Sequence, residues 1–107
     1  MGLFKRKQGS TGDAMAINIP EPSGEEIGRF GTLVEAVESA SEYCSEWVFK
    51  NDSSEIFDPK SLRSMAELSD QNYLPDDGEY YVVLSDGYIG EQNEYGHIDW
   101  LFSPVMR

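Results

Sequence analysis

The sequence predicts an α+β domain: a small antiparallel sheet of about three strands with two helices packed on one face. Three observations carry that expectation. Thr32 stands three residues before Glu35 and opens a run of apolar residues at helical spacing. After Glu79 the apolar period drops to two. Asp86-Gly87, a tight-turn pair, then divides two runs of strand formers.

Residues 1–16, MGLFKRKQGSTGDAMA, show no sustained periodicity and read as a flexible, basic-tipped tail. Gly2 does not open a myristoylation motif, because Arg6 stands where that motif needs Ser or Thr. Residues 17–107 read as a single acidic domain. Ile17-Asn18-Ile19 alternates briefly before Pro20 and Pro22, which predicts a short edge strand or an extended lead-in. Ser23 to Glu26 are expected to cap one helical turn ending near Gly31.

The main helix is predicted from Thr32, whose hydroxyl and the carboxylate of Glu35 form a capping box. Leu33, Val37, Ala40, Cys44, Trp47 and Val48 fall within about 100° of arc and predict a core-facing stripe running to Val48. Asn51-Asp52-Ser53-Ser54 breaks that pattern. Asp58-Pro59 then supplies an N-cap with proline at the first helical position, and Leu62, Met65 and Leu68 mark a second helix of about three turns. Tyr80 to Leu84 and Tyr88-Ile89 predict a hairpin closed by Asp86-Gly87. A last strand is expected from His97 to Phe102, with Ile98, Trp100 and Phe102 on one face and Pro104 stopping it.

Charge is the most unusual property of the composition. The chain of 107 residues carries 20 Asp and Glu against 8 Lys and Arg, a formal net charge of -12. Phosphate binding draws its affinity from Lys and Arg, so direct nucleic-acid binding is not expected and a basic protein partner is. No Lys or Arg occurs between Arg63 and Arg107, a stretch holding Glu67, Asp70, Asp76, Asp77, Glu79, Asp86, Glu91, Glu94 and Asp99. No apolar run approaches the roughly 18–20 residues that span a bilayer. With the single Cys44, which has no intrachain partner for a disulfide, this predicts a cytoplasmic protein.

Little in the sequence supports catalysis, a metal or another cofactor. His97 is the only imidazole, and a Cys44, His97, Asp99 grouping needs a reactive thiol where the pattern places a core one. Asp76-Asp77-Gly78-Glu79 lacks the spacing of a calcium loop and reads as a turn after Pro75. No phosphate-binding glycine loop, HExxH or GxSxG occurs.

Two surfaces stand out as partner-binding candidates. Glu35, Glu38, Glu42 and Glu46 fall within about 80° of arc on the back of the predicted helix. Their rise of about 6 Å per four residues is close to the phosphate spacing of a nucleic-acid strand. The second surface combines Tyr88, Glu91, Glu94, Tyr95, His97 and Asp99 around the loop between the last two strands. The resulting expectation is a non-enzymatic protein that blocks or chaperones a cationic partner such as a nuclease, a toxin or a nucleic-acid-binding protein, of inhibitor, immunity or nucleic-acid-mimic type. The alternatives are an adaptor subunit docked through Leu3 to Lys7 and, third, a small enzyme using His97.

Overall fold

The computed structural model describes residues 18–106; the basic tail lies outside them. Chain order is β1 (Glu26–Phe30), α1 (Leu33–Ala40), β2 (Trp47–Phe49), β3 (Asp52–Phe57), α2 (Pro59–Asn72), β4 (Tyr80–Leu84), β5 (Ile89–Gln92) and β6 (Ile98–Pro104). One antiparallel sheet takes all six strands in the order β1-β4-β5-β6-β2-β3. The α+β class and both helices are as predicted, but the sheet is larger than the three strands expected. Among the described residues no helix is long and apolar enough to cross a membrane.

The additional strands come from two misread segments. Residues 26–30, expected as a helical turn, form β1, which places Ile27 and Phe30 against the core and leaves Arg29 exposed. The helix from Thr32 stops at Ala40, well short of Val48. There the Ser41 hydroxyl turns back to the Val37 carbonyl (2.7 Å), and the amides of Glu42 and Tyr43 bond the carbonyls of Ser39 and Ala40. Such bonds tighten and close a last turn. Trp47 and Val48 are fully buried, as the apolar stripe implied, but on β2. The indole of Trp47 donates to the Gly87 carbonyl at 2.8 Å, which satisfies its buried N–H. Lys50 and Asn51 both hold positive φ (45° and 66°) and join β2 to β3, the backbone a two-residue hairpin turn requires.

Both helices pack on one face of the sheet. Leu33, Ala36, Val37 and Ala40 of α1 and Leu62 and Ala66 of α2 meet Tyr81, Val83, Ile89, Trp47 and Phe102. The opposite face carries Val82, Leu84 and Tyr88, with Tyr80 and Trp100 beside them. Of the expected lead-in at residues 16–20, residues 16 and 17 lie outside the described residues, and Asn18 makes an isolated bridge with Met106. The chain before β1 is fastened by Asp86, whose carboxylate accepts from the amides of Ser23 and Gly24, both at 3.1 Å.

β6 runs through Pro104 rather than stopping before it. Its pairing with β5 slips between Ile89 and Gly90, so Ile89 faces Phe102 while Gly90 faces Trp100. Leu101 is the extra residue, and the bulge sends Phe102 to the helix side, away from the face of Trp100. Gly90 has to be glycine, because a Cβ there would stand 2.7 Å from the indole of Trp100.

Carboxylates cap both helices. Asp58 accepts from the Ser61 amide at 2.7 Å while the Ser61 hydroxyl accepts from the Asp58 amide at 3.0 Å. At α1 the Thr32 hydroxyl accepts from the Glu35 amide (3.2 Å) and donates to the Glu35 carboxylate (2.9 Å). Asp70, from the far end of α2, takes the amides of Leu33 and Val34 at 2.8 and 3.0 Å. These are charge-assisted bonds at the positive end of a helix. Asp70→Ala is expected to cost about 1–3 kcal/mol in urea unfolding, whereas Glu67→Ala, losing only an exposed ion pair with Arg63, should cost less than about 0.5 kcal/mol. Equal costs would show that the cap is idle.

The Ser61 amide also holds the Asp58 carboxyl below its ordinary range. A lowered folded pKa means that the cap stabilises above the ordinary carboxylate range and is lost as pH falls through the lowered value. Asp58→Ala should therefore flatten the acid side of the stability–pH curve, which thermal melts through the acid range can check.

Candidate binding surface

The acidic helix line does not form. Glu35 and Glu38 lie on α1, but the helix has ended before Glu42 and Glu46. Glu42 is exposed in the turn after α1, and Glu46 is half-buried just before β2, its carbonyl accepting from the Cys44 thiol (2.9 Å) and the Val105 amide (2.9 Å). Glu35 is engaged in the α1 cap, and Glu38 pairs with Arg63 of α2 at 3.1 Å. A regular row of four carboxylates is therefore absent. The physical reason is that helical spacing in the sequence continues past the point where Ser41 ends the helix.

The second surface is partly assembled. Tyr88 leaves it, being only 3% exposed, edge-on to Trp100 (centroids 5.4 Å apart), with its hydroxyl bonded to the Pro20 carbonyl. Glu91 on β5 lies directly across from Asp99 on β6. Glu94 and Tyr95 occupy the turn after β5, and Tyr95 is 86% exposed. Asn93 organises that turn: its side-chain oxygen accepts from the amides of Tyr95 (2.9 Å) and His97 (3.0 Å). Gly96 takes the positive φ of 88° that the reversal requires. Asp99 forms an ion pair with Lys50 at 3.2 Å and so reaches toward the β2–β3 hairpin rather than the turn.

A neighbouring loop completes the surface, and sequence reasoning had read it only as a turn. After α2 the chain runs through Tyr73, Leu74 and Pro75 into a tight reversal. There the Glu79 amide donates to the Asp76 carbonyl (2.9 Å), and the Asp76 amide donates to the Glu79 carboxylate (3.1 Å). Gly78 has φ 85°, and a Cβ on it would stand 3.2 Å from the Cβ of Glu94, so the two loops abut. Between them Pro75, Asp76, Asp77, Glu79 and Glu94 line an open depression of about 580 Å³. Among the described residues no basic side chain lines it. Among the described residues no three such groups converge as metal ligands, so this is a wall of charge rather than a cage.

Apolar surface borders the wall, since Leu74 and Tyr73 are about half exposed. The Tyr73 hydroxyl donates to the Glu91 carboxylate, tying the loop to β5. That hydrogen bond, with burial and the nearby charges of Glu91 and Glu79, raises the Tyr73 phenol well above its ordinary value. The one signal for Asp76, Asp77 and Glu79 in the sequence was their place in the stretch without Lys or Arg. The predicted hairpin ends at Ile89; its continuation to Gln92, opposite Tyr80, is what brings that stretch beside Glu94.

The catalytic candidates do not come together as a site. Cys44 is half-buried, and burial raises its thiol above the ordinary range, which lowers its nucleophilicity. His97 is exposed at the start of β6, and its backbone is tied to Asn93. Comparisons of the chain with protein-family models, curated proteins and solved structures return no match.

Nitration by tetranitromethane attacks tyrosinate, so it separates hydrogen bonding from exposure. Tyr43 and Tyr73 are similarly open (50% and 47%), yet Tyr43 and Tyr95 should be nitrated well before Tyr73 in mildly alkaline buffer. Glu91→Ala should shorten that delay, leaving the part due to burial and Glu79. Equal rates in the wild-type protein, read by peptide mass, would show that the Tyr73–Glu91 bond does not persist in solution.

Proposed function

We propose that the protein is a non-enzymatic acidic binding protein that blocks or chaperones a cationic protein partner. The observation that carries this reading is the wall of Asp76, Asp77, Glu79 and Glu94, with no basic side chain in it and exposed Tyr73, Leu74 and Tyr95 around it. Carboxylates of one sign facing a shared concavity focus potential outward and attract Lys and Arg. Exposed tyrosines add large contact area at low entropic cost, which is the composition of a recognition surface. The helix row that suggested imitation of a nucleic-acid backbone is broken, so recognition here rests on charge and aromatic contact rather than on phosphate-like spacing.

None of the four described basic side chains, Arg29, Lys50, Lys60 and Arg63, lines the wall, and Lys60 stands in the first turn of α2 beside Asp58. Arg29 pairs with Glu26 (2.6 Å), Lys50 with Asp99 (3.2 Å) and Arg63 with Glu38 (3.1 Å). Among the described residues the wall thus keeps its field uncompensated by lining cations.

Capture of binding proteins from a lysate of the source cell at low salt should yield a cationic protein that is released at high salt. Its association rate should fall steeply with ionic strength. D77K/E94K should lower the affinity by about tenfold or more and flatten the salt dependence, while E35K/E42K should change it little. An association rate that does not respond to salt would remove this reading.

A further inference from the structure

We propose that the groove between α2 and the β2–β3 hairpin receives an arginine side chain from a cationic segment of a protein partner. The groove encloses about 290 Å³, at the lower limit of small-molecule pockets of roughly 300–1,000 Å³, and so suits a single side chain. Phe49, Phe57, Phe102 and Met65 form its walls, and Asp52, Ser54 and Glu55 form its rim.

The groove exists because β2 and β3 fall out of register. Trp47 pairs with Phe57 and Phe49 with Asp52, so residues 53–56 of β3 face the single residue Val48, three more than a regular ladder holds, and bulge from it. The aromatic wall is thereby left open, and Phe49 is 44% exposed despite packing on Phe102 at a centroid distance of 5.4 Å. β3 is also the outer strand of the sheet. Among the described residues nothing pairs with its free edge, so a segment lying along it reaches the groove directly.

The chemistry of walls and rim selects the occupant. A planar guanidinium stacks on aromatic faces while its aliphatic stem lies along apolar atoms. Its fork of donors matches carboxylates at the rim. An apolar side chain would fill the walls but leave Asp52 and Glu55 without a counter-charge. A lysine would bring a compact, strongly hydrated charge that stacks poorly. The Ser54 amide donates to the Asp52 carboxylate (2.9 Å) and holds it below its ordinary range, so that anion persists into mild acid. Lys50, the nearest cation of the hairpin, pairs with Asp99 at 3.2 Å and holds its ammonium 5.6 Å from the centroid of the Phe49 ring, and it is not part of the groove's lining.

This inference is independent of the acidic wall, since a partner seated only on Asp76, Asp77, Glu79 and Glu94 leaves the groove unused. The test is an amide-resolved NMR titration of the full chain with the peptide acetyl-Ser-Val-Arg-Val-Ser-amide and its citrulline counterpart, which keeps shape and removes charge. Saturable shifts are expected at Phe49, Asp52, Glu55, Phe57 and Met65, with the citrulline peptide about tenfold weaker. Glu55→Gln should weaken the arginine peptide several-fold while its own spectrum shows the fold intact. Equal binding of the two peptides, or no saturable shift in the groove, would overturn the proposal. So would shifts confined to residues 76–79 and 94, an outcome that leaves the acidic wall standing. Groove shifts produced by protein concentration alone would assign the groove to a second copy of the chain and equally overturn it.

Discussion

The grip of Asp70 on the first turn of α1 is the interaction on which the arrangement of the helices depends. α1 spans only Leu33–Ala40, too short to be stable alone, because a helix of this length barely repays its nucleation cost. Thr32 satisfies the Glu35 amide, and Asp70 takes the amides of Leu33 and Val34 from the last turns of α2. The longer helix thus completes the shorter one, and the pair settles as one layer on Tyr81, Val83 and Ile89. The end of α2 is fixed by the same bond, and the loop bearing Asp76, Asp77 and Glu79 departs from that end.

A chain with a net charge of -12 resists compaction, and this one converts part of that charge into hydrogen bonds. Asp58, Asp70 and Asp86 each accept backbone amides that would otherwise lack partners. Glu26, Glu38 and Asp99 pair with Arg29, Arg63 and Lys50; such exposed pairs stabilise little, but they neutralise three of the four described cations, Lys60 being the fourth. What remains concentrated is the wall after α2 and the rim on β3. The acidity is therefore divided between carboxylates that hold the fold and carboxylates that face outward.

Much of the fold was legible where one local signal decided it. Asp58-Pro59 set the start of α2, and Asp86-Gly87 set the hairpin of β4 and β5. Thr32 and Glu35 marked the start of α1. The errors arose where two periods agree by chance. Cys44, Trp47 and Val48 continue a helical stripe on paper, but Trp47 and Val48 are buried on adjacent residues, as in a strand covered on both faces. The turn that would have revealed the β2–β3 hairpin is Lys50-Asn51, in which lysine at positive φ gives no warning. For the binding surface, Glu91, Glu94 and Tyr95 were legible as residues flanking a loop. Their neighbours Tyr73, Asp76, Asp77 and Glu79 were not, because the second strand of the hairpin, expected to end at Ile89, runs on to Gln92 opposite Tyr80, and that pairing with the Tyr73–Glu91 and Gly78–Glu94 contacts joins the two loops.

The edges of the sheet connect this charge distribution to partner choice. An exposed edge strand invites pairing with any extended chain, including a second copy, and charges and bulges are the usual means of blunting it. Both edges here use both means. β1 has a register shift between Glu26 and Gly28 and carries Glu26 and Arg29, while β3 has its shift opposite Trp47 and Phe49 and carries Asp52 and Glu55. On β3 the charges are of one sign, so an identical edge is repelled while a basic segment is attracted. The same bulge that prevents a continuous ladder opens the aromatic wall behind it. An edge built this way discriminates by charge first and by side-chain fit second, disfavouring an identical acidic edge and favouring a basic segment.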